Sequence, residues 1–303
     1  MEISEFSQKI CNAVKEELGE GYRIELKEVR KNNGVILHGL VILFRSQNVA
    51  PTIYLDTFLE AYESGTAFAV VVRRLLAVYR KGVPRDSVDM DFFRSFDRVR
   101  DRICYRLIGR RGNEALLEDV PHIEFLDLAI CFYYAYQGKT LGEGTILVHN
   151  SHMKMWETTT SELYTLARNN TPELFPWVSS SLEEVLGEMA GSTEGSLPED
   201  PERGLDREFP MRVLSNAKRL HGAVCMLYPG VLEKLARGAK RGLYILPSSI
   251  HEVILLPDTG LGSPQELKRM IHEVNSTQVA PEEVLSNSLY YYDSLQKRIR
   301  IIF

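Results

Sequence analysis

The sequence predicts a mixed α+β fold, with hairpin-rich sheets, packed helices and two sub-domains. Three observations carry that prediction. Apolar runs of strand length come in pairs joined by turn residues, as at Asn32-Asn33-Gly34 and Pro247-Ser248-Ser249. Between such pairs lie segments whose apolar residues recur every three or four positions, the helical period. The elements do not alternate strand by helix, as a doubly wound parallel sheet would require.

Ile3, Phe6, Ile10, Val14 and Leu18 form a helical stripe, and Gly19 and Gly21 stop it. Tyr22 to Val29 alternates apolar with charged residues, and Asn32-Asn33-Gly34 turns the chain into a second strand, Val35 to Phe44. Two helices are expected at 56–63 and 66–80. Ile103 to Ile108, Ile123 to Tyr134 and Thr145 to Val148 read as strands. A helix capped near Thr159 is expected to stop at Asn169-Asn170-Thr171-Pro172, with a shorter one around 180–189. Residues 190–209 hold two prolines, three glycines and few apolar side chains, which reads as a linker or mobile loop. The expected domains are therefore 1–189 and 210–303.

Beyond that segment, Met211 to Leu214 and Gly222 to Met226 bracket a second hairpin candidate, and Pro229 is placed to start a helix from Gly230 to Lys240. The run from Leu243 to Pro257 reads as a buried hairpin with His251 and Glu252 in its second strand. Ser263 and Glu266 form a capping box for a helix reaching Val274. Ser288 to Tyr292 and Ile299 to Phe303 read as the last strand pair.

Composition narrows the function classes. The chain has 303 residues, 44% hydrophobic and 25% charged, enough to bury a core without disulfides or metals. A net charge of −5 excludes a generally basic nucleic-acid binder. The four cysteines, Cys11, Cys104, Cys131 and Cys225, are too far apart for a Cys-x-x-Cys site and read as buried thiols in a reducing, cytoplasmic compartment. The start of the chain is acidic and polar, unlike a signal peptide. The longest apolar run, Phe125 to Tyr136, contains Asp127 and falls short of the roughly twenty residues that span a membrane. Neither a P-loop nor a strand-anchored Gly-x-Gly-x-x-Gly is present, so kinase, P-loop NTPase and Rossmann readings lose their footing, and no cofactor is expected.

Five segments point to a family. They are Asn32-Asn33-Gly34-Val35-Ile36-Leu37-His38-Gly39-Leu40, Ala50-Pro51-Thr52-Ile53-Tyr54-Leu55-Asp56, Tyr228-Pro229-Gly230-Val231-Leu232, Leu246-Pro247-Ser248-Ser249-Ile250-His251-Glu252-Val253-Ile254 and Gln278-Val279-Ala280-Pro281-Glu282-Glu283-Val284-Leu285-Ser286. In this order, nearly end to end, the chain resembles the bacterial family called domain of unknown function 5688. The order of its elements is also similar, more weakly, to domain of unknown function 1444. The resemblance implies a bacterial, intracellular, full-length module and carries over no catalytic residue.

Two clusters hold the residue types of catalysis, and each has an ordinary reading. His149 and His152 could ligate a divalent metal, but local metal-binding pairs usually sit four apart on a helix. Asn150 or Ser151 as a helix cap explains the cluster as well, and no metal is expected. Ser248, Ser249, His251 and Glu252 have the chemistry of a serine hydrolase, yet no Gly-x-Ser-x-Gly elbow is present. Strand alternation would also send His251 and Glu252 to opposite faces. A hydrogen-bonded histidine in the core or against a ligand is the ordinary reading.

Charge is more suggestive. Between Arg73 and Arg111 twelve Lys or Arg stand against five Asp or Glu, and Arg94, Arg98, Arg102, Arg106 and Arg110 recur every four residues. A solvated surface is the ordinary reading, and a groove for an anion is the sharper one. The expectation is a non-enzymatic binding or adaptor module with no membrane role. It would recognise a protein or anionic partner through the hairpin tip at Pro247-Ser248-Ser249 and the basic segment 94–111, the latter open to nucleic acid. Its ligand-binding residues would be Ser248, Ser249, His251, Glu252, Arg94, Arg98 and Arg102. The alternative is a hydrolase assembled around His251/Glu252 and His149/His152.

Overall fold

The apolar stripe of α1 (Ile3–Leu18) buries Phe6, Ile10 and Val14 completely, and Gly19 ends the helix at φ +72°. The structure, a computed structural model, describes residues 1–45, 47, 50–83, 91–138, 142–181, 184, 211–237, 242–247, 249–259 and 263–302. Strands β1 (Tyr22–Arg30) and β2 (Ile36–Phe44) pair antiparallel from Tyr22 opposite Phe44 to Arg30 opposite Ile36. Asn33 and Gly34 turn between them at φ +60° and +70°, the left-handed region that Asn and Gly tolerate best. Strand β3 (Thr52–Tyr54) pairs with β2, and α2 (Asp56–Glu63) and α3 (Phe68–Gly82) follow. Leu40, Ile42, Ile53, Leu55, Val71 and Leu75 close this core with α1.

That core belongs to one of two compact units, Met1–Phe92 with Tyr136–Gly144; the other is Phe93–Ala135 with Thr145–Phe303. In the second unit α4 (Phe96–Val99) precedes β4 (Ile103–Gly109), and α5 (Glu114–Asp119) precedes β5 (His122–Phe125). Strand β6 (Leu128–Gly138) lies between β4 and β5, and β7 (Gly142–Leu147) also pairs with β6. Next come α6 (Asn150–Trp156), α7 (Thr160–Leu174), β8 (Trp177–Ser181), β9 (Arg212–Asn216) and α8 (Val231–Ala236). Then follow β10 (Gly242–Leu246), β11 (Val253–Pro257), α9 (Pro264–Thr277), β12 (Tyr290–Asp293) and β13 (Arg298–Ile301). A six-stranded sheet takes the order β13-β12-β10-β11-β9-β8. Every strand pair with a defined register is antiparallel, which makes the protein α+β. Among the described residues no helix is long and apolar enough to cross a membrane.

Strands β8 and β9, from either side of residues 190–209, pair in one sheet within the second unit. The segment 190–209 itself, and nearly all of the helix expected at 180–189, lie outside the described residues. Several expectations are corrected here. Ile123 to Tyr134 is not one strand. Leu126 reverses the chain at φ +56°, and no Gly or Asn marks the turn. Helix α7 continues through Pro172 to Leu174. A proline there removes one donor near the helix end, and Asn170 anchors the turn by donating from Nδ2 to Arg100 O and Ile103 O at 2.8 and 3.0 Å. Residues 222–227 form a 3-10 turn, not a hairpin arm, and β9 pairs instead with β8 and β11.

Candidate functional site

On the β4–β6 ladder Cys104 faces Tyr133, Arg106 faces Cys131 and Ile108 faces Ala129. Residues two apart on a strand share a face, so Arg106 is the one charged rung between two apolar groups. On one side Cys104, Tyr133, Ala135 and Phe175 cluster; on the other, Ile108, Val120, Ala129 and Cys131. Burial lowers the pKa of Arg106, although arginine stays protonated in proteins. Among the described residues no acidic side chain pairs with it; its titratable neighbours are Cys131 and Tyr133. Burial pushes the Cys131 thiol up to about 11 and raises the Tyr133 phenol well above its ordinary value, so both are neutral near pH 7.

His221 approaches the same place from the turn after β9. Its ring meets the Tyr133 ring edge-on at 5.4 Å and stacks on the His251 ring at 5.8 Å, with 9° between the planes. Burial first, then the positive charge of Arg106, holds its pKa well below the ordinary histidine value. The turn is built by Asn216, whose Oδ1 accepts from Lys218 N and Leu220 N and whose Nδ2 donates to Leu220 O at 2.7 Å. Arg219 and His221 both take φ near +50°, a conformation costing on the order of 1 kcal/mol each for non-glycine residues. Gly222 follows so closely packed that no side chain fits.

The hairpin of β10 and β11 exists in the expected place, with Leu243 opposite Pro257 and Leu246 opposite Ile254. His251 and Glu252 are not in its second strand, however; they end the connection that leads into β11. The connection is held by the polypeptide around it. Ile250 N donates to Glu283 O at 2.8 Å, Ser286 N to Pro247 O, and Ser215 Oγ to His251 O at 2.7 Å. His251 Nδ1 accepts from His221 N at 3.2 Å, which leaves the ring proton on Nε2, 3.6 Å from Glu283 Oε1. Ser249 is buried; its hydroxyl accepts from His251 N at 3.0 Å and bonds Glu252, whose carboxyl pKa is raised chiefly by burial.

Of the expected site residues, the structure thus gathers Ser249, His251 and Glu252, while Ser248 lies outside the described residues. Arg94, Arg98 and Arg102 do not share a helical face. They stand on three successive tight turns, 91–94, 96–99 and 100–102. Arg102 turns inward and donates from Nε to Ala135 O at 2.6 Å. The pair His149/His152 is used locally. His149, not Asn150 or Ser151, is the N-cap of α6; His152 Nδ1 accepts from its backbone N–H, and His149 Nδ1 donates to Asp119 at 2.7 Å. His152 also packs edge-on against Phe93, and no contact among the described residues joins this pair to His251. Among those residues no group of three or more His, Cys, Asp or Glu could hold a metal ion.

Arg106, His221 and Glu283 were not singled out as site residues. A sequence signal existed for Arg106, because a charge inside the apolar run Ile103 to Ile108 is the same kind of interruption as His251. None existed for His221, which reaches the cluster only through the Asn216 turn.

His251→Ala removes the acceptor for His221 N and the ring stacked on His221, so stability should fall by about 1–3 kcal/mol. Denaturant melts of the two proteins measure it. A catalytic histidine without this packing role would instead leave the midpoint in place and abolish turnover.

Fold and site together define a mixed α+β protein whose second unit encloses a cationic, histidine-lined cluster within a net-acidic chain. Over residues 3–294 the chain matches the family of unknown function DUF5688, and it belongs to that family. No curated protein and no solved structure matches it.

Proposed function

We propose that the protein is a non-enzymatic binding module for an anionic partner, recognised by the exposed arginines ahead of β4. The observation that carries this reading is the run of tight turns that presents Arg94, Arg98 and Arg100 to solvent, with Arg100 only loosely paired to Asp97 at 3.8 Å. Exposed cations concentrated on a short surface raise the local concentration of anions, and in a chain of −5 they must do so against the general field. The use of Ser249 Oγ as an acceptor for the backbone and a partner for Glu252 supports binding over nucleophilic catalysis. The four free, buried cysteines support a reducing, cytoplasmic setting.

Arg94→Glu with Arg98→Glu should elute from a polyanion column at much lower salt than the parent protein. Stability should change by no more than about 0–1 kcal/mol, because exposed charges contribute little. Retention at the parental salt concentration would remove the reading. A labelled RNA probe and an acidic polypeptide, tested in parallel, tell nucleic acid from a protein partner.

A further inference from the structure

We propose that Arg106 and His221 form a buried receptor for a single oxyanion, the carboxylate or phosphate group of a small ligand. The protein satisfies its other inward-facing arginines internally. Arg212 is buried, and its Nε and Nη2 donate to Ser179 Oγ and Ser179 O, both at 2.9 Å. Arg102 donates to Ala135 O. Arg106 has no such partner. Its Nε is enclosed and makes no hydrogen bond among the described residues, and no acidic side chain pairs with it there. An enclosed guanidinium nitrogen with neither an acceptor nor a counter-charge is costly, and a fold that satisfies its structural arginines leaves this one open.

The second unsatisfied atom lies in the same cluster. His221 Nδ1 is buried and without a hydrogen-bond partner among the described residues, and its ring lies edge-on to Tyr133, which shares a face of the β4–β6 ladder with Arg106. As the Nδ1–H tautomer, a neutral imidazole donates there. Two enclosed donors, one of them cationic, call for an acceptor carrying negative charge, and a carboxylate or phosphate meets an arginine fork in that way. The surroundings fit an anion. Cys131 and Tyr133 are neutral, the walls are apolar, and His251 turns its protonated edge toward Glu283. Arg106 is only half-buried, so part of the side chain still meets solvent. The turn that presents His221 holds two residues in left-handed backbone conformation, strain of the kind proteins concentrate at ligand clamps. This site is separate from the exposed arginines, and its failure would leave the reading of that surface untouched.

The test titrates the whole chain with inorganic phosphate and with acetate, at ionic strength held constant with sodium chloride. Melting temperature and the Arg106 Nε–H resonance are followed together. A saturable rise in melting temperature, with movement of that resonance, is expected for at least one of the two, and the one that responds identifies the group recognised. Arg106→Met should melt, without anion, at or above the parental temperature and lose the response at least tenfold in apparent Kd. His221→Phe keeps a stacked ring and removes Nδ1; its response should weaken about tenfold. A wild-type Nε–H signal unmoved by either anion overturns the proposal, as does a response that persists in Arg106→Met. So does an anion-free Arg106→Met that melts below the parent, since the arginine would then be structural. Should Arg106→Met not fold, the wild-type resonance and Arg106→Gln decide the matter.

Discussion

Asp127→Ala is expected to destabilise the second unit by about 4 kcal/mol, the largest loss for any single side chain outside the apolar core. Asp127 Oδ2 accepts from Ser286 Oγ at 2.6 Å and Ser288 Oγ at 2.9 Å, and Oδ1 accepts from Tyr290 OH. Hydrogen bonds to a charged group are worth roughly 1.5–3 kcal/mol each, and three that share one carboxylate add less than their sum. The Tyr290 hydroxyl would be left buried and unpaired, since that residue is wholly enclosed. Asp127 is also the pivot of the β5–β6 reversal, next to Leu126 at φ +56°. Its loss should therefore loosen the four-stranded sheet as well as the six-stranded sheet at β12. In a unit of this size the melting temperature should fall by roughly 10 °C. Tyr290→Phe removes only one of the three bonds and should cost about a third as much. Equal losses in the two variants would show that the tyrosine hydroxyl alone matters and that the serines are incidental.

Gly222→Ala is expected to cost about 3 kcal/mol and to weaken the histidine cluster with it. A methyl group there would lie 2.2 Å from Ser215 Oγ, 2.4 Å from His251 O and 2.8 Å from Asn216 N. Two of these three atoms belong to the backbone and cannot swing away, so the turn must shift, which places the cost at the upper end of the overpacking range. The shift acts on His221, the preceding residue, and on the bond from Ser215 to His251 O. Chemical denaturation measures the stability. The ring resonances of His221 and His251 report whether the stacked pair has parted. Gly230→Ala serves as the control. There an added methyl meets nothing within 4 Å, and the cost comes only from φ +77°, about 1 kcal/mol. A Gly222→Ala protein no less stable than Gly230→Ala would mean that the turn yields freely.

Local patterns were readable wherever one segment decides its own structure. The α1 stripe, the Asn33-Gly34 turn, and the Ser263–Glu266 capping box all follow from side chains within four residues of one another. The hairpin of β10 and β11 was readable for the same reason, since two apolar runs close in sequence meet at low entropic cost. Misreadings fall where the deciding partner is distant. Nothing near Leu126 announces a turn, because the groups that hold it, on Ser286, Ser288 and Tyr290, come some 160 residues later. Pro172 signals a helix end, but contacts of Asn170 with Arg100 and Ile103 carry the helix past it. The four-residue spacing of Arg94, Arg98 and Arg102 suggested a shared face, but three separate tight turns carry them, while Arg106 lies on β4 within the strand expected at Ile103 to Ile108.

The candidate site divides along the same line. The sequence by itself determined the α+β class, the net-acidic character with its basic stretch, and a polar interruption at His251 and Glu252, because composition and short-range alternation are properties of the chain alone. Only the tertiary structure decided which groups meet that interruption. His221 is thirty residues from His251 and Arg106 more than a hundred from His221, and their proximity rests on a sheet register, a turn tied by Asn216 and a glycine with no room for a methyl. Whether a charge is satisfied depends on partners within hydrogen-bonding distance, and distance in space across such separations is written in no local pattern.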